Sequence, residues 1–119
     1  LASLAGPVGA AIEAFDPTWV LISAGYDAHR RDPLCGLALT DADFGLLTTE
    51  LMGWSRPGRR ILFLEGGYDL EGLRDSVRAT LSSLTDAGLD PVDGYSGGGP
   101  GSELVANLTE ARARLGLPT

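Results

Sequence analysis

The chain has 119 residues, of which 44% are hydrophobic and 21% charged, and its net charge is −7. This composition is typical of one globular domain and argues against disorder. The acidic balance disfavours a nucleic-acid partner, because phosphate binding requires clustered Lys and Arg. The single cysteine, Cys35, excludes an internal disulfide and a four-cysteine zinc site. No apolar run approaches the roughly 20 residues of a membrane span, so we expect a cytoplasmic protein.

The first quarter of the sequence predicts a helix followed by a strand. Apolar residues recur at spacings of three and four from Leu4 to Phe15, which indicates a helix. Asp16–Pro17 ends this helix, because a residue that precedes proline avoids the helical conformation. The apolar run Trp19–Ala24 then favours a strand buried on both faces, as in a parallel sheet.

A second helix and a second strand follow. Thr40 resembles an N-cap, and Asp41 and Asp43 place negative charge in the first turn, where the helix dipole favours it. The helical spacing continues to Trp54. Arg60–Leu64 is a second apolar run that predicts another buried strand.

The rest of the chain predicts two further helices with a loop between them. Asp69 is a candidate cap for the third helix, and residues 87–102 form a Gly- and Pro-rich loop. The last helix falls within 103–119. The third helix has an apolar stripe made of Leu70, Leu73, Val77, Leu81 and Leu84.

Strands joined through helices imply parallel pairing in an α/β fold. Two strands are few for a sheet, and the chain begins with Leu rather than Met, so we expect part of a larger α/β domain. Ligands of open parallel sheets bind at the carboxyl ends of the strands. Any chemistry should therefore lie in the loops at 23–34 and 65–70.

Those two loops resemble known sequences. The strings SAGYDAHRRDPL, LALT and LEGGYDLEGL, in this order and spacing, resemble class II-type and bacterial members of the histone deacetylase superfamily. Polyamine deacetylases and acetoin-utilisation proteins belong to the same group. The resemblance extends from Ile12 to Leu84. It implies the three-layer α/β/α fold of the arginase/deacetylase type, of which this chain would be the C-terminal part, with a motif-bearing core at 1–86.

The resemblance also implies roles for particular residues. Asp32 matches a ligand of the catalytic Zn²⁺, and Tyr68 matches the tyrosine whose hydroxyl holds the substrate oxyanion. Gly66 and Gly67 would leave room for the substrate, and Leu39 falls at the wall of the acyl-lysine channel. The implied activity is hydrolysis of the amide in acetyl-lysine or an acetylated polyamine.

The other residues of the family site have no counterpart in this sequence. The family takes two further zinc ligands from an Asp-x-His segment and its proton-transfer groups from a histidine pair, whereas this chain has one histidine. One carboxylate cannot hold catalytic zinc. We therefore expect the isolated chain to be inactive and to need the remainder of the deacetylase domain as its partner.

Two alternatives stay open from the sequence. In the first, the chain is a non-catalytic fragment. In the second, it binds a nucleotide or phosphate through Gly66–Gly67 and the helix that follows. Glu65 and Asp69 oppose the second alternative, because they would repel an anion.

Four features are assigned ordinary structural roles. His29 is expected to have a structural or solvent role, since the family does not use this position as a ligand. Asp27 is expected to stabilise its loop through backbone hydrogen bonds, and Cys35 to be a small loop hydrophobe. The run Gly97–Gly101 lacks the Lys and Ser or Thr of a phosphate-binding loop, so a linker is favoured.

Overall fold

The computed structural model describes residues 1–97 and 101–119, with Ser102 described by its backbone alone. The predicted alternation of helices and strands is confirmed. In chain order the elements are a π-helical turn Leu4–Val8, α1 Gly9–Phe15, β1 Val20–Gly25, α2 Asp41–Met52, β2 Arg60–Gly66, α3 Leu70–Thr85 and α4 Gly101–Arg114. No helix of this described part is both long and apolar enough to cross a bilayer.

The two strands pair in parallel, as predicted. The register runs from Val20 opposite Arg60 to Ala24 opposite Leu64, and then shifts so that Gly25 lies opposite Gly66. The shift leaves Glu65 as an extra residue on β2. Both strands extend beyond the predicted apolar runs, to Gly25 and Gly66, and the loops that follow them leave one edge of the sheet.

The expectation that both faces of the strands are buried is wrong for this chain. Leu21, Ile61 and Phe63 alternate outward and are 65%, 42% and 49% exposed, whereas Ile22 and Leu62 are half-buried. The inward pair shares a groove with residues of α2 and α3. Among the described residues, helices cover only the face that carries Ile22 and Leu62. The strands are apolar on both faces, but their second face is open.

Helix α2 begins where the sequence predicts. The Thr40 hydroxyl accepts a hydrogen bond from the Asp43 amide, and the Asp43 carboxylate accepts one from the Thr40 amide at 2.8 Å. This reciprocal capping box satisfies two amides that the helix itself cannot. Ser96 also donates its amide to the Asp43 carboxylate, which holds the segment after α3 against the start of α2.

The buried face of α3 differs from its apolar stripe. Leu70 and Leu81 are 80% and 53% exposed, whereas Ser76, Ala79 and Thr80 are buried. Helix α2 approaches α3 at Gly45, and the Ser83 hydroxyl donates to the Gly45 carbonyl at 2.9 Å. Two helices this close accommodate only small side chains, so small residues occupy the contact and the leucines lie beside or outside it.

The two ends of the chain differ in detail from the prediction. The first helix is broken, because Gly6 is non-helical and Pro7 lies inside the π-helical turn. The last helix begins at Gly101, two residues before the predicted start, and packs against the π-helical turn. The predicted linker at Gly97–Gly101 includes residues 98–100, which lie outside the described residues.

Candidate active site

The site forms where the two parallel strands end. Residues after β1 and after β2 leave the same edge of the sheet, and the Tyr26 amide donates to the Gly66 carbonyl at 3.0 Å. The Tyr26 ring packs edge-on against Phe44 at 5.1 Å between ring centroids. This buried tyrosine fixes the exit of the first loop against α2.

The loop after β1 closes on itself at residues 28–39. The Leu39 amide donates to the Ala28 carbonyl at 3.1 Å, and the Arg30 amide donates to the Leu39 carbonyl at 2.8 Å. Within this closure the Asp32 amide donates to the His29 carbonyl at 2.8 Å. Leu39 is half-buried at the base of the loop, where its backbone fixes the loop.

Asp32 links this loop to the second one. Its carboxylate accepts hydrogen bonds from the Tyr68 amide at 2.8 Å and from the Leu34 amide at 2.9 Å, and the residue is 8% exposed. Burial raises the pKa of this carboxyl group, but the amides of Tyr68 and Leu34, with those of Cys35 and Asp69, outweigh it and lower the pKa. The group is therefore an ionised carboxylate at neutral pH, which is the form that binds metals.

Tyr68 combines a fixed backbone with an accessible side chain. Its amide is bound by Asp32, whereas the residue is 57% exposed. The next residue, Asp69, caps α3 by accepting from the Gly72 amide at 2.6 Å. The tyrosine thus stands between a bound amide and a helix start, with its phenol ring toward the outside of the described structure.

Local packing and backbone conformation bear differently on the two glycines before Tyr68. A Cβ atom at Gly66 would lie 3.4 Å from the Asp27 carboxyl carbon. At Gly67 the φ angle is +127°, and a Cβ would lie 3.0 Å from Leu73 and 3.1 Å from Tyr26. Gly67 therefore favours glycine without reference to a substrate, whereas a Cβ at Gly66 would make an ordinary contact. The predicted role in admitting the substrate stays a prediction.

The N-terminus of α3 is capped by a side chain of the protein, which argues against anion binding there. Asp69 already occupies the first turn of α3, and its carboxylate is the partner of the Gly72 amide. An incoming phosphate would have to displace this carboxylate and would meet its charge. The alternative of a phosphate-binding module therefore loses the feature on which it depended.

His29 is buried between the starts of α2 and α3. It is 1% exposed, its Nδ1 atom accepts from the Arg31 amide at 3.2 Å, and a Cβ at Gly72 would lie 2.7 Å from that nitrogen. The ligating atoms of His29, Asp41 and Asp93 fall within 4.8 Å of one another. Sequence spacing gave no sign of this cluster, because its three members come from three different segments.

The cluster is arranged as a structural joint rather than as a set of metal ligands. Nδ1 of His29 already accepts the hydrogen bond of the Arg31 amide, so this nitrogen is engaged within the loop. Among the described residues Nε2 has no partner. Asp93 is paired with Arg30 at 2.9 Å, and Asp41 accepts from the amides of Val92 and Asp93. These bonds tie the segment after α3 to the active-site loop.

Arg31 is a second residue that the sequence analysis did not single out. Its guanidinium lies 3.2 Å from Asp75, 3.5 Å from Glu71 and 3.6 Å from Asp69. Asp75 is 4% exposed and also pairs with Arg74 at 2.8 Å. Hydrogen bonds and charge from Arg74, and then from Arg31, lower the pKa of Asp75 against the effect of burial.

Two smaller expectations fare differently. Cys35 is exposed rather than packed as a loop hydrophobe, as are its neighbours in the stretch 33–38. Among the side-chain hydrogen bonds of the described residues, none joins the Asp27 carboxylate to its loop backbone. It lies instead beside Gly25 and Gly66 at the strand ends.

Comparison with known proteins decides the family. The model of the histone deacetylase domain matches residues 2–84, which include both strands, both loops and α3 as far as Leu84. The chain belongs to the histone deacetylase family. The resemblance of the two loop motifs is thereby confirmed.

Individual histone deacetylases match with substantial identity. Histone deacetylase 10, chloroplastic, of Oryza sativa subsp. japonica is 45% identical over 84 residues, covering 65% of this chain and 18% of that protein. Histone deacetylase 9 of Homo sapiens is 42% identical over 80 residues, covering 66% of this chain and 8% of that protein. The chain therefore spans less than a fifth of the length of these relatives.

A solved structure extends the agreement to the fold. The crystal structure of the HDA15 HD domain superposes with a TM-score of 0.69 at 30% identity, covering 91% of this chain and 28% of that one. The predicted arginase/deacetylase type of α/β fold is therefore confirmed for this chain.

Proposed function

We propose that this chain supplies a metal ligand, Asp32, and an oxyanion-stabilising tyrosine, Tyr68, to a zinc-dependent deacetylase. The hydrogen bond from the Tyr68 amide to the Asp32 carboxylate supports this proposal most directly. It fixes the backbone of one proposed group against the side chain of the other, at the edge of the sheet where α/β proteins bind their ligands. In the proposed mechanism, the metal that Asp32 would bind and the Tyr68 hydroxyl act at one substrate carbonyl.

Asp32 is suited to be one ligand of the zinc. It is ionised and largely shielded from solvent, and its two oxygens accept hydrogen bonds from different backbone amides, Oδ1 from Leu34 and Oδ2 from Tyr68. The two amides orient the carboxylate as outer partners of a metal ligand commonly do. When bound, zinc supplies a polarised carbonyl and an acidified water.

Tyr68 would stabilise the charge that develops on the substrate. Its phenolic hydroxyl is a neutral donor on a residue that is 57% exposed, so a substrate can reach it from outside the described part. A fixed backbone limits the positions that the ring can adopt. A donor fixed in advance needs no rearrangement when the oxyanion forms, and this is the main source of its catalytic effect.

The substrate class in this proposal is an acetylated lysine or an acetylated polyamine. Leu39, half-buried at the base of the first loop, would contribute an apolar wall to the acyl channel. The net charge of −7 suits a polyamine that keeps other charged amines, or a basic protein segment around a neutral acetyl-lysine. Cytoplasmic location remains part of the proposal, and the absence of an internal disulfide in a chain with one cysteine is compatible with it.

A complete site requires ligands beyond Asp32. Catalytic zinc takes three protein ligands and keeps one position open. The Asp-x-His string of this sequence, Asp27-Ala28-His29, lies directly before Asp32 and not well upstream, where the family carries its ligand segment, and the 119 residues contain no histidine pair. We therefore expect the chain alone to hydrolyse no amide. The missing groups would come from the remainder of a deacetylase domain.

The test uses the whole protein that carries this chain. We expect stoichiometric zinc or iron by elemental analysis, together with hydrolysis of an acetyl-lysine peptide or an acetylated polyamine. Asp32→Asn should lower both the metal content and the turnover, whereas Asp90→Asn, an exposed position in the segment after α3, should change neither. Absence of bound metal from the unaltered protein would refute the proposal.

A further inference from the structure

We infer that Arg31 is a positioning residue that holds Tyr68 in place through the first turn of α3. This inference rests on the proposed function for its catalytic consequence, but its structural part stands on contacts in the chain itself. Arg31 adjoins Asp32 in the first loop, and its guanidinium faces three carboxylates at the start of α3. Tyr68 lies directly before that helix.

The contacts of Arg31 span two segments that are far apart in sequence. Arg31 and Asp75 are separated by 44 positions, yet Nη2 donates to the Asp75 carboxylate at 3.2 Å. Asp75 is 4% exposed, and about a third of the Arg31 side chain is exposed. An isolated exposed ion pair contributes little, but a pair with one buried partner in a network is screened less by water.

Asp69 joins the network to the tyrosine. It follows Tyr68 directly, its Oδ1 atom caps the Gly72 amide at 2.6 Å, and the same atom lies 3.6 Å from Arg31 Nε. A shift of the first turn of α3 would therefore move Tyr68 together with its cap. Arg31 restrains that turn on one side, while Asp32 restrains the Tyr68 amide on the other.

Loss of Arg31 should change the position of the first turn of α3 more than it changes the stability of the helix. Arg74 makes two hydrogen bonds to Asp75, at 2.8 Å and 3.1 Å, so the buried carboxylate remains paired without Arg31. Arg31, in contrast, is the residue whose cation reaches Asp69 and Glu71 from the loop that carries Asp32. Loss of Arg31 should therefore loosen the relation between the two loops without unfolding the helix.

The chain offers a matched control in the neighbouring residue. Arg30 carries the same charge in the same loop, but it pairs with Asp93, in the segment after α3, at 2.9 Å. Arg30→Gln removes one positive charge, as Arg31→Gln does, without touching the start of α3. Arg31→Lys keeps the charge but loses the planar group that reaches several carboxylates at once.

The first experiment measures hydrogen exchange of the Tyr68 amide in the whole protein that carries this chain. We expect Arg31→Gln to accelerate this exchange about tenfold, as is typical when one charged hydrogen-bonding partner is lost. Arg31→Lys should give a smaller acceleration, and Arg30→Gln should leave the rate unchanged. Equal rates in the Arg31→Gln variant and the unaltered chain would overturn the inference, whether or not the protein is a deacetylase.

The second experiment measures turnover in the whole protein. We expect Arg31→Gln to lower kcat about tenfold, with KM and metal content nearly unchanged, because misplacement of a catalytic group affects the transition state more than binding. In a Tyr68→Phe background the same substitution should have almost no further effect. An equal fractional loss in both backgrounds would show that Arg31 does not act through Tyr68, whereas full turnover of Tyr68→Phe alone would refute the proposed function.

Discussion

The carboxylate of Asp32 accepts a hydrogen bond from the backbone amide of Tyr68 at 2.8 Å, across 36 positions of sequence. The two residues that family resemblance assigns to the metal and to the oxyanion are therefore joined directly. The contact uses the Asp32 side chain and the Tyr68 backbone, so the phenol ring takes no part in it. Substitutions of the ring should consequently leave the metal ligand in place.

Tyr68→Phe provides the test of this separation. The variant lacks the hydroxyl but retains the amide that binds Asp32, so we expect the whole protein to keep its metal and to lose turnover by about 10²–10³-fold. Elemental analysis and a deacetylation assay measure the two effects. Retention of full turnover would remove Tyr68 from the mechanism, and loss of metal would show that the ring also supports the ligand.

Gly67→Ala should destabilise the chain. The φ angle of +127° and the approach of a Cβ to within 3.0 Å of Leu73 and 3.1 Å of Tyr26 combine strain with a clash. We expect the free energy of unfolding to fall by about 1–3 kcal/mol. Gly88→Ala is the control, because φ is +63° there and no atom lies within 4 Å, so its cost should be limited to about 1 kcal/mol. Urea denaturation of both variants measures the free energy of unfolding. An equal decrease in the two variants would contradict the role of the clash.

Acid should destabilise the fold through Asp75. The pKa of this group is lowered in the folded state, chiefly by its hydrogen bond with Arg74, while burial opposes the shift. The unfolded chain therefore takes up the proton more readily, and the stabilisation that is complete above the ordinary value of 3.8 is lost as pH falls through the lower folded value. Asp75→Asn should flatten the dependence of unfolding free energy on pH between about 5 and 3. An unchanged slope would contradict this assignment.

The exposed apolar face of the sheet should promote self-association. Leu21 and Ile61 are cross-strand partners, as are Ser23 and Phe63, and the three apolar members of this set are at least 42% exposed. We expect Phe63→Ser to raise the concentration at which the chain remains monomeric in sedimentation experiments, because a large apolar side chain leaves the open face. Thermal stability should change little.

Leu62→Ser is the matched control for this face. Leu62 lies one position earlier on the same strand but points toward α2 and α3, where it is half-buried. Its replacement should lower the free energy of unfolding by about 1–3 kcal/mol without relieving self-association. The interpretation of the open face would fail if both variants behaved alike.

Several features could be predicted from the sequence because their causes are local. The capping box of Thr40 and Asp43 involves residues three positions apart, and the cap at Asp69 has the same reach. The apolar runs at β1 and β2 also indicate strands by themselves. The apolar stripe of α3 did not predict the buried face of the helix. Hydrophobicity indicates which residues favour burial, but not which face a neighbouring helix will cover.

The sequence by itself determined the order of elements, the caps and, through two motifs, the family. It also proposed Asp32 and Tyr68 as site residues. Only the tertiary structure decided which groups meet. Asp32 reaches the Tyr68 amide, and Arg31 reaches Asp75 across 44 positions, because parallel pairing of β1 and β2 brings the ends of both strands to one edge. Such contacts depend on the register of the strands and on how closely two helices approach. No local pattern in the chain encodes the register or this approach.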